Sequence, residues 1–219
     1  LKAPFHAVFA GKRSFITRKT DKGYFFVYRK GKENYSFTPS LQGKHQGKNA
    51  AVAISASEQL SKTWQRLEKK KIVEGIEKTK WEGRLEIVSR NPLVILDGAH
   101  NEEGAQALKK YFEDFPSSPL ILVFAIMRDK EIAKIADILF PLAKKIILTR
   151  FPYFRAALPE EIKKQAQSFQ DRIVLEPDIN QAIDKALRNA GSQGCVLVAG
   201  SLYLVGEFKK RAMFSNGPL

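Results

Sequence analysis

An apolar run passes into a polar one at Val94-Ile95-Leu96-Asp97-Gly98-Ala99-His100-Asn101. The apolar residues suit a buried strand, Gly98 allows a sharp turn, and a helix is expected to begin near Asn101. An acid and a histidine would then stand at the carboxyl edge of a sheet, where open α/β proteins bind ligands. The plainer alternative is that both merely cap the turn, since Asp and Asn are ordinary helix-start residues. His100 could hold a carboxylate or phosphate because it titrates near neutrality, although an isolated histidine is more often structural. Arg84, within Trp81-Glu82-Gly83-Arg84-Leu85-Glu86, offers a planar, always-charged guanidinium that can grip oxygens in pairs. A surface salt bridge with Glu82 or Glu86 would use it instead. Lys130 brings a point charge, and Ser201 follows Gly200 where a helix is expected to start, presenting N–H groups and a positive dipole end to an anion. Asn49 can donate and accept through one amide, or serve only as a polar residue at a helix N-terminus. Arg155 and Tyr203 also have ordinary readings, as a basic loop residue and an aromatic near a helix start.

The elements that must position these groups are legible from periodicity. From Arg84 onward, apolar strands alternate with amphipathic helices, the sequence form of a parallel α/β sheet. Strands are predicted at Leu85–Ser89, Leu93–Asp97, Leu120–Phe124, Lys145–Thr149, Arg172–Leu175 and Cys195–Ala199. Three helical stripes separate them: Ala105, Leu108 and Phe112; Ile132, Ile135, Ala136 and Leu139; Ile179, Ile183 and Leu187. The first part of the chain reads differently. Three short antiparallel strands are expected between Val8 and Leu41, broken at Gly11, Asp21-Lys22-Gly23 and Lys30-Gly31-Lys32, followed by helices at Asn49–Leu60 and Arg66–Glu77. Such aromatic strands would need a larger sheet to cover them, so residues 1–80 read as the end of a bigger domain and 81–219 as a second domain. The opening Leu1-Lys2-Ala3, without methionine, also implies a stretch upstream. The uncovered strands would favour dimerisation or poor solubility.

Composition narrows the function classes. The net charge of +14 raises the question of nucleic acid. Residues 1–82 hold 18 Lys and Arg against 7 Asp and Glu, and 83–219 hold 19 against 16. The basic first part has neither the aromatic spacing of a single-strand platform nor a recognition helix, so nucleic acid is not an expected partner. The longest apolar run, Leu120–Met127, is far short of the roughly 18 residues of a membrane helix. No membrane partner is expected, and the single cysteine, Cys195, reads as an inert thiol in a buried strand, which fits a cytoplasmic location. Gly43-Lys44-His45-Gln46-Gly47-Lys48 imitates a phosphate loop, but three residues separate its glycines where four are required, and Asn49 replaces Ser or Thr.

Four ordered segments carry a family resemblance. Trp81-Glu82-Gly83-Arg84-Leu85-Glu86 followed by Leu96-Asp97-Gly98-Ala99-His100-Asn101 resembles the signature of the folylpolyglutamate synthase and dihydrofolate synthase family, within the Mur ligase superfamily. Gly43-Lys44-His45-Gln46-Gly47-Lys48-Asn49-Ala50 resembles the end of that family's central ATPase domain, and Met127-Arg128-Asp129-Lys130-Glu131 and Gly200-Ser201-Leu202-Tyr203 agree in order. The resemblance implies a Rossmann-like C-terminal domain with a mostly parallel sheet, preceded by a small α+β remnant of the ATPase domain.

It further implies an ATP-dependent ligase that adds L-glutamate to folates through an acyl phosphate. Asn49, Arg84 and Asp97 match nucleotide-binding residues, with Asp97 accepting from ribose hydroxyls. Arg84 and His100 match residues of the reaction, while Lys130 and Ser201, with Arg155 and Tyr203 beside them, would hold the substrate's glutamate. ATP and Mg²⁺ are the implied cofactors. The phosphate loop, the Mg²⁺ ligands and most of the folate site would lie in a missing N-terminal ATPase half, the chain's implied partner. The isolated chain would then be inactive. A rival reading is a non-catalytic α/β interaction module whose basic half docks on an acidic surface.

Overall fold

The structure is a computed structural model that describes residues 15–20, 23–30, 32–64 and 67–214. The expected strand residues 8–14 with the break at Gly11, the Asp21-Lys22 part of one turn, Gly31, and the Arg66 start of the second helix lie outside the described residues. The chain forms two compact units divided after Trp81.

The first unit contains strands β1 (Phe15–Thr20), β2 (Gly23–Lys30) and β3 (Glu33–Phe37), then helices α1 (Gln46–Leu60) and α2 (Lys69–Lys78). The strands are antiparallel in chain order, with Phe26 opposite Phe37 and Tyr28 opposite Tyr35. Period-two alternation therefore places Tyr24, Phe26, Tyr28, Tyr35 and Phe37 on one face, and all five are buried. That corrects the expectation of an uncovered aromatic sheet. The hydroxyls of Tyr28 and Tyr35 reach Ser55 and Glu58 of α1 (3.4 and 2.7 Å), and Glu77 of α2 accepts the Thr38 N–H at 3.1 Å. Helix α1 begins three residues before Asn49. Gly43, at φ +103°, turns the chain so that its carbonyl takes the Gln46 N–H at 3.0 Å.

The second unit runs β4 (Glu86–Arg90), β5 (Leu93–Asp97), α3 (Glu102–Asp114), β6 (Leu120–Phe124), α4 (Ile132–Leu139), β7 (Lys145–Leu148), α5 (Pro159–Gln165), β8 (Ile173–Leu175), α6 (Ile179–Ala190), β9 (Cys195–Ala199) and α7 (Leu202–Phe214). Its sheet has the order β4-β5-β9-β6-β7-β8, parallel except for the antiparallel edge strand β4. β4 starts at Glu86 rather than the expected Leu85 because Leu85 sits at φ +47°, outside any strand conformation.

Side chains alternate between two apolar layers. Ile95, Leu122, Phe124, Leu148 and Leu197 pack with α3, α4 and α5, whereas Val94, Leu96, Val123, Ile147 and Val198 pack with α6 and α7. Each such side chain contributes roughly 1.5–3 kcal/mol by leaving water. Helices on both faces make the sheet doubly wound. Because β9 returns between β5 and β6, the chain leaves neighbouring strands toward opposite faces, which opens a crevice beyond their carboxyl ends.

Cys195 is fully buried at the start of β9, and burial pushes its thiol up to about 12. Thiolate is the reactive form, so a thiol reagent at neutral pH should modify the native chain on the order of 10³-fold more slowly than the urea-unfolded chain. Equal rates would show that β9 is not in the core.

Candidate functional site

At the carboxyl edge of the second sheet the loops after β5, β6, β7 and β9 enclose a cavity of about 230 Å³. Five of the residues singled out in the sequence line it: His100, Lys130, Arg155, Ser201 and Tyr203. They come from four separate loops, so the topology, not chain proximity, brings them together.

Each is held by local structure. Asn101 caps α3 by accepting the Gly104 N–H at 2.9 Å, which fixes the loop that carries His100. Nδ1 of His100 lies 2.8 Å from the Gly98 carbonyl. Ser201 is buried at the entry to α7, where its hydroxyl accepts the Tyr203 N–H at 3.1 Å and its carbonyl accepts from Val205 at 3.2 Å. Gly200 makes that entry possible. At φ +112°, a Cβ there would stand 2.4 Å from the Ala125 carbonyl oxygen and 2.8 Å from the Phe124 ring. Tyr203 stacks on Tyr153 and Phe151, with ring centroids 4.8 and 5.6 Å away, giving the cavity an aromatic wall. Lys130 and Arg155 share the carboxylate of Asp129 at 3.5 and 3.0 Å. The loop bearing Arg155 is tied to the one bearing Lys130 by the Met127–Ala156 bridge and the Arg128 N–H to Arg155 carbonyl bond of 2.8 Å.

Met127, Tyr153 and Leu202 also line the cavity and were not singled out. Met127 lay within a motif run already noted, and Leu202 between two marked residues. Tyr153 sits in an irregular loop with no periodic signal.

Asp97, the last residue of β5 and three before His100, does not line the cavity and is only 7% exposed. Its two carboxylate oxygens accept the N–H groups of Leu85 and Ala99, each at 2.7 Å. Burial raises its proton affinity above the usual carboxylate range, against the pull of those two donors and the charges of Arg84 and His100. The alternative expected for Arg84, a salt bridge with Glu82 or Glu86, is not formed. Both acids pair instead with Lys209 of α7 (2.9 and 2.8 Å), and the exposed Arg84 has no ion pair among the described residues. The Arg84 segment and the cavity share a contact. Cβ atoms at Gly83 and Gly98 would meet a methyl of Leu202 at 3.0 and 2.4 Å.

Asn49 belongs to the first unit. Its side-chain amide donates to Gln46 Oε1 at 3.0 Å, and with Ala50, Ala53, Ile76 and Thr79 it lines a separate, narrow cavity of about 140 Å³. Among the described residues no group of three or more His, Cys, Asp or Glu side chains is placed to hold a metal ion. No helix of the described residues is long and apolar enough to cross a membrane.

Comparison with known proteins gives a consistent result. Residues 83–202 match the family model of the Mur ligase glutamate ligase domain. The dihydrofolate synthase/folylpolyglutamate synthase of Bacillus subtilis is 31% identical over 95% of this chain and 49% of its own length. The folylpolyglutamate synthase of Thermotoga maritima superposes with a TM-score of 0.73 at 28% identity, covering 93% of this chain and 48% of that one. The Mycobacterium tuberculosis folylpolyglutamate synthase, solved with ADP and AMPPCP, has a TM-score of 0.80 at 24% identity over 95% of this chain and 49% of its own, and shows the same fold. The chain thus spans about half the length of the relatives it matches.

Two substitutions test the supports of the site. Asp97→Asn would set an amide NH₂ against a backbone donor and should cost roughly 1–3 kcal/mol. Gly200→Ala combines a left-handed φ with a backbone clash and should cost at least about 1–3 kcal/mol. Urea unfolding of each variant is the measurement, and midpoints equal to wild type would refute the account.

Proposed function

Because the chain belongs to the Mur ligase family, in the branch of the folylpolyglutamate and dihydrofolate synthases, we propose that it supplies the glutamate-holding part of an ATP-dependent ligase acting on folates. The observation that carries this reading is the convergence of Lys130, Arg155 and the Ser201 entry to α7 on one small cavity. Its volume is below the roughly 300–1,000 Å³ of pockets for drug-sized ligands, and suits a small metabolite. The two cations together answer one carboxylate of glutamate, and Ser201 at the entry to α7 answers the other. The N-terminus of α7 adds its dipole, worth about 0.3–1 kcal/mol toward an anion, and the Tyr153–Tyr203 wall limits how the aliphatic chain can lie.

In the reaction we assign, ATP phosphorylates a folate carboxylate and the glutamate amine attacks the resulting acyl phosphate, releasing phosphate. Holding glutamate at fixed orientation is then the contribution of this cavity, since positioning lowers the barrier without new chemistry. On the nucleotide side, Arg84 is exposed and without an ion pair among the described residues, as a phosphate-gripping guanidinium must be. The amide pair Asn49–Gln46 beside Ala50 and Ala53 offers a hydrogen-bonding edge and a flat apolar side, which suit a nucleotide base. Within the second unit, Asp97 holds the backbone of Leu85, next to Arg84, and each of its oxygens keeps a lone pair for a ribose hydroxyl.

Calorimetric titration with L-glutamate tests the reading. Weak binding is expected for the wild-type chain, and Ser201→Ala and Lys130→Ala should each weaken it, by about tenfold or more for Lys130, whose charge-assisted bonds are worth roughly 1.5–3 kcal/mol. Unchanged affinity in both variants, or no binding at all, would overturn it. The 219 residues contain no phosphate loop, so no glutamate should be incorporated into a folate by this chain alone. Measurable incorporation would contradict the division of labour proposed here.

A further inference from the structure

We propose that His100 is the acceptor of the proton lost by the attacking amine, and does not act as a cationic clamp on a carboxylate. The inference rests on the reading that the cavity holds glutamate. Its ground is the contact between His100 Nδ1 and the Gly98 carbonyl at 2.8 Å. A carbonyl oxygen can only accept, so Nδ1 must carry the hydrogen. In the neutral ring the lone pair is then at Nε2, which has no hydrogen-bond partner among the described residues, on a side chain that lines the cavity.

The support for this tautomer is rigid. Gly98 donates its own N–H to the Gly83 carbonyl at 2.8 Å, and its Cα faces Leu202 so closely that a Cβ there would lie 2.4 Å from a methyl. The carbonyl that selects the tautomer therefore has little freedom to turn away. Carboxylate binding, meanwhile, has other candidates on the same cavity in Lys130, Arg155 and Ser201. The other titratable groups around it are Tyr153 and Tyr203 on the wall and the Asp97 carboxylate, whose charge interacts with the ring.

The step balances. The amine nitrogen's lone pair forms the bond to the acyl carbon, the bond from that carbon to the phosphate oxygen breaks, and its electron pair leaves with phosphate. The proton shed by the nitrogen passes to Nε2 of His100, giving an imidazolium that keeps its Nδ1–H on Gly98.

Long-range ¹H–¹⁵N correlation of the imidazole rings tests this on the chain itself, which has three histidines; a His100→Gln variant assigns the signal. At about pH 8, where an ordinary histidine is neutral, the free chain should show His100 as the Nδ1–H tautomer. Saturating L-glutamate should leave the ring neutral and shift Nε2, whereas glutarate, which lacks the amine, should not produce that shift. An Nε2–H tautomer in the free chain, or an imidazolium formed on adding glutamate, would overturn the inference while the glutamate reading stands. If the amides of Ser201 and Tyr203 do not move with glutamate, the glutamate reading fails and the inference falls with it.

Discussion

One buried carboxylate fixes the geometry of the second unit's site. Asp97 receives the Leu85 N–H on one oxygen and the Ala99 N–H on the other, so the chain entering the sheet and the chain leaving β5 are fastened to the same group. Without that anchor Leu85 would have little reason to stay at φ +47°, a conformation that costs a bulky residue of order 1–3 kcal/mol. Arg84 immediately precedes it, and His100 follows Ala99. The cost of removing Asp97 from water, visible in its raised proton affinity, is offset by the two short hydrogen bonds it accepts.

Around this anchor the doubly wound topology does the assembling. Strands β5, β9 and β6 are neighbours although widely separated in sequence, and their following loops reach one crevice from both faces of the sheet. Helix α7 links the parts. Ser201 at its entry and Tyr203 in its first turn line the cavity, Leu202 packs on Gly83 and Gly98, and Lys209, two turns on, holds Glu82 and Glu86. The cavity and the Arg84 segment thus both meet the same helix.

Much of this was legible in the residues. Short continuous apolar runs located the strands of the second unit to within a residue or two, because parallel strands covered on both faces are apolar throughout. His100, Lys130, Arg155, Ser201 and Tyr203, singled out by their chemistry and by the family resemblance, line one cavity. What escaped depends on contacts distant in sequence. Nothing local tells that Glu86 pairs with Lys209 rather than Arg84, or that Tyr153 in an irregular loop stacks on Tyr203. The left-handed Leu85 was hidden because the hydrogen bond that holds it runs to Asp97, twelve residues on. The aromatic strands of the first unit were expected to need a larger sheet to cover them; tyrosine hydroxyls reaching Ser55 and Glu58 join the sheet to α1 instead.

The central claim, that the cavity at the carboxyl edge is an amino-acid site, is tested most directly by a crystal structure of the chain soaked in L-glutamate. The account predicts glutamate density inside the cavity, with one carboxylate against Ser201 and the α7 entry, the other near Lys130 or Arg155, and the amine within hydrogen-bonding reach of His100 Nε2. An empty cavity at saturating glutamate, or glutamate bound on a different surface, would contradict it.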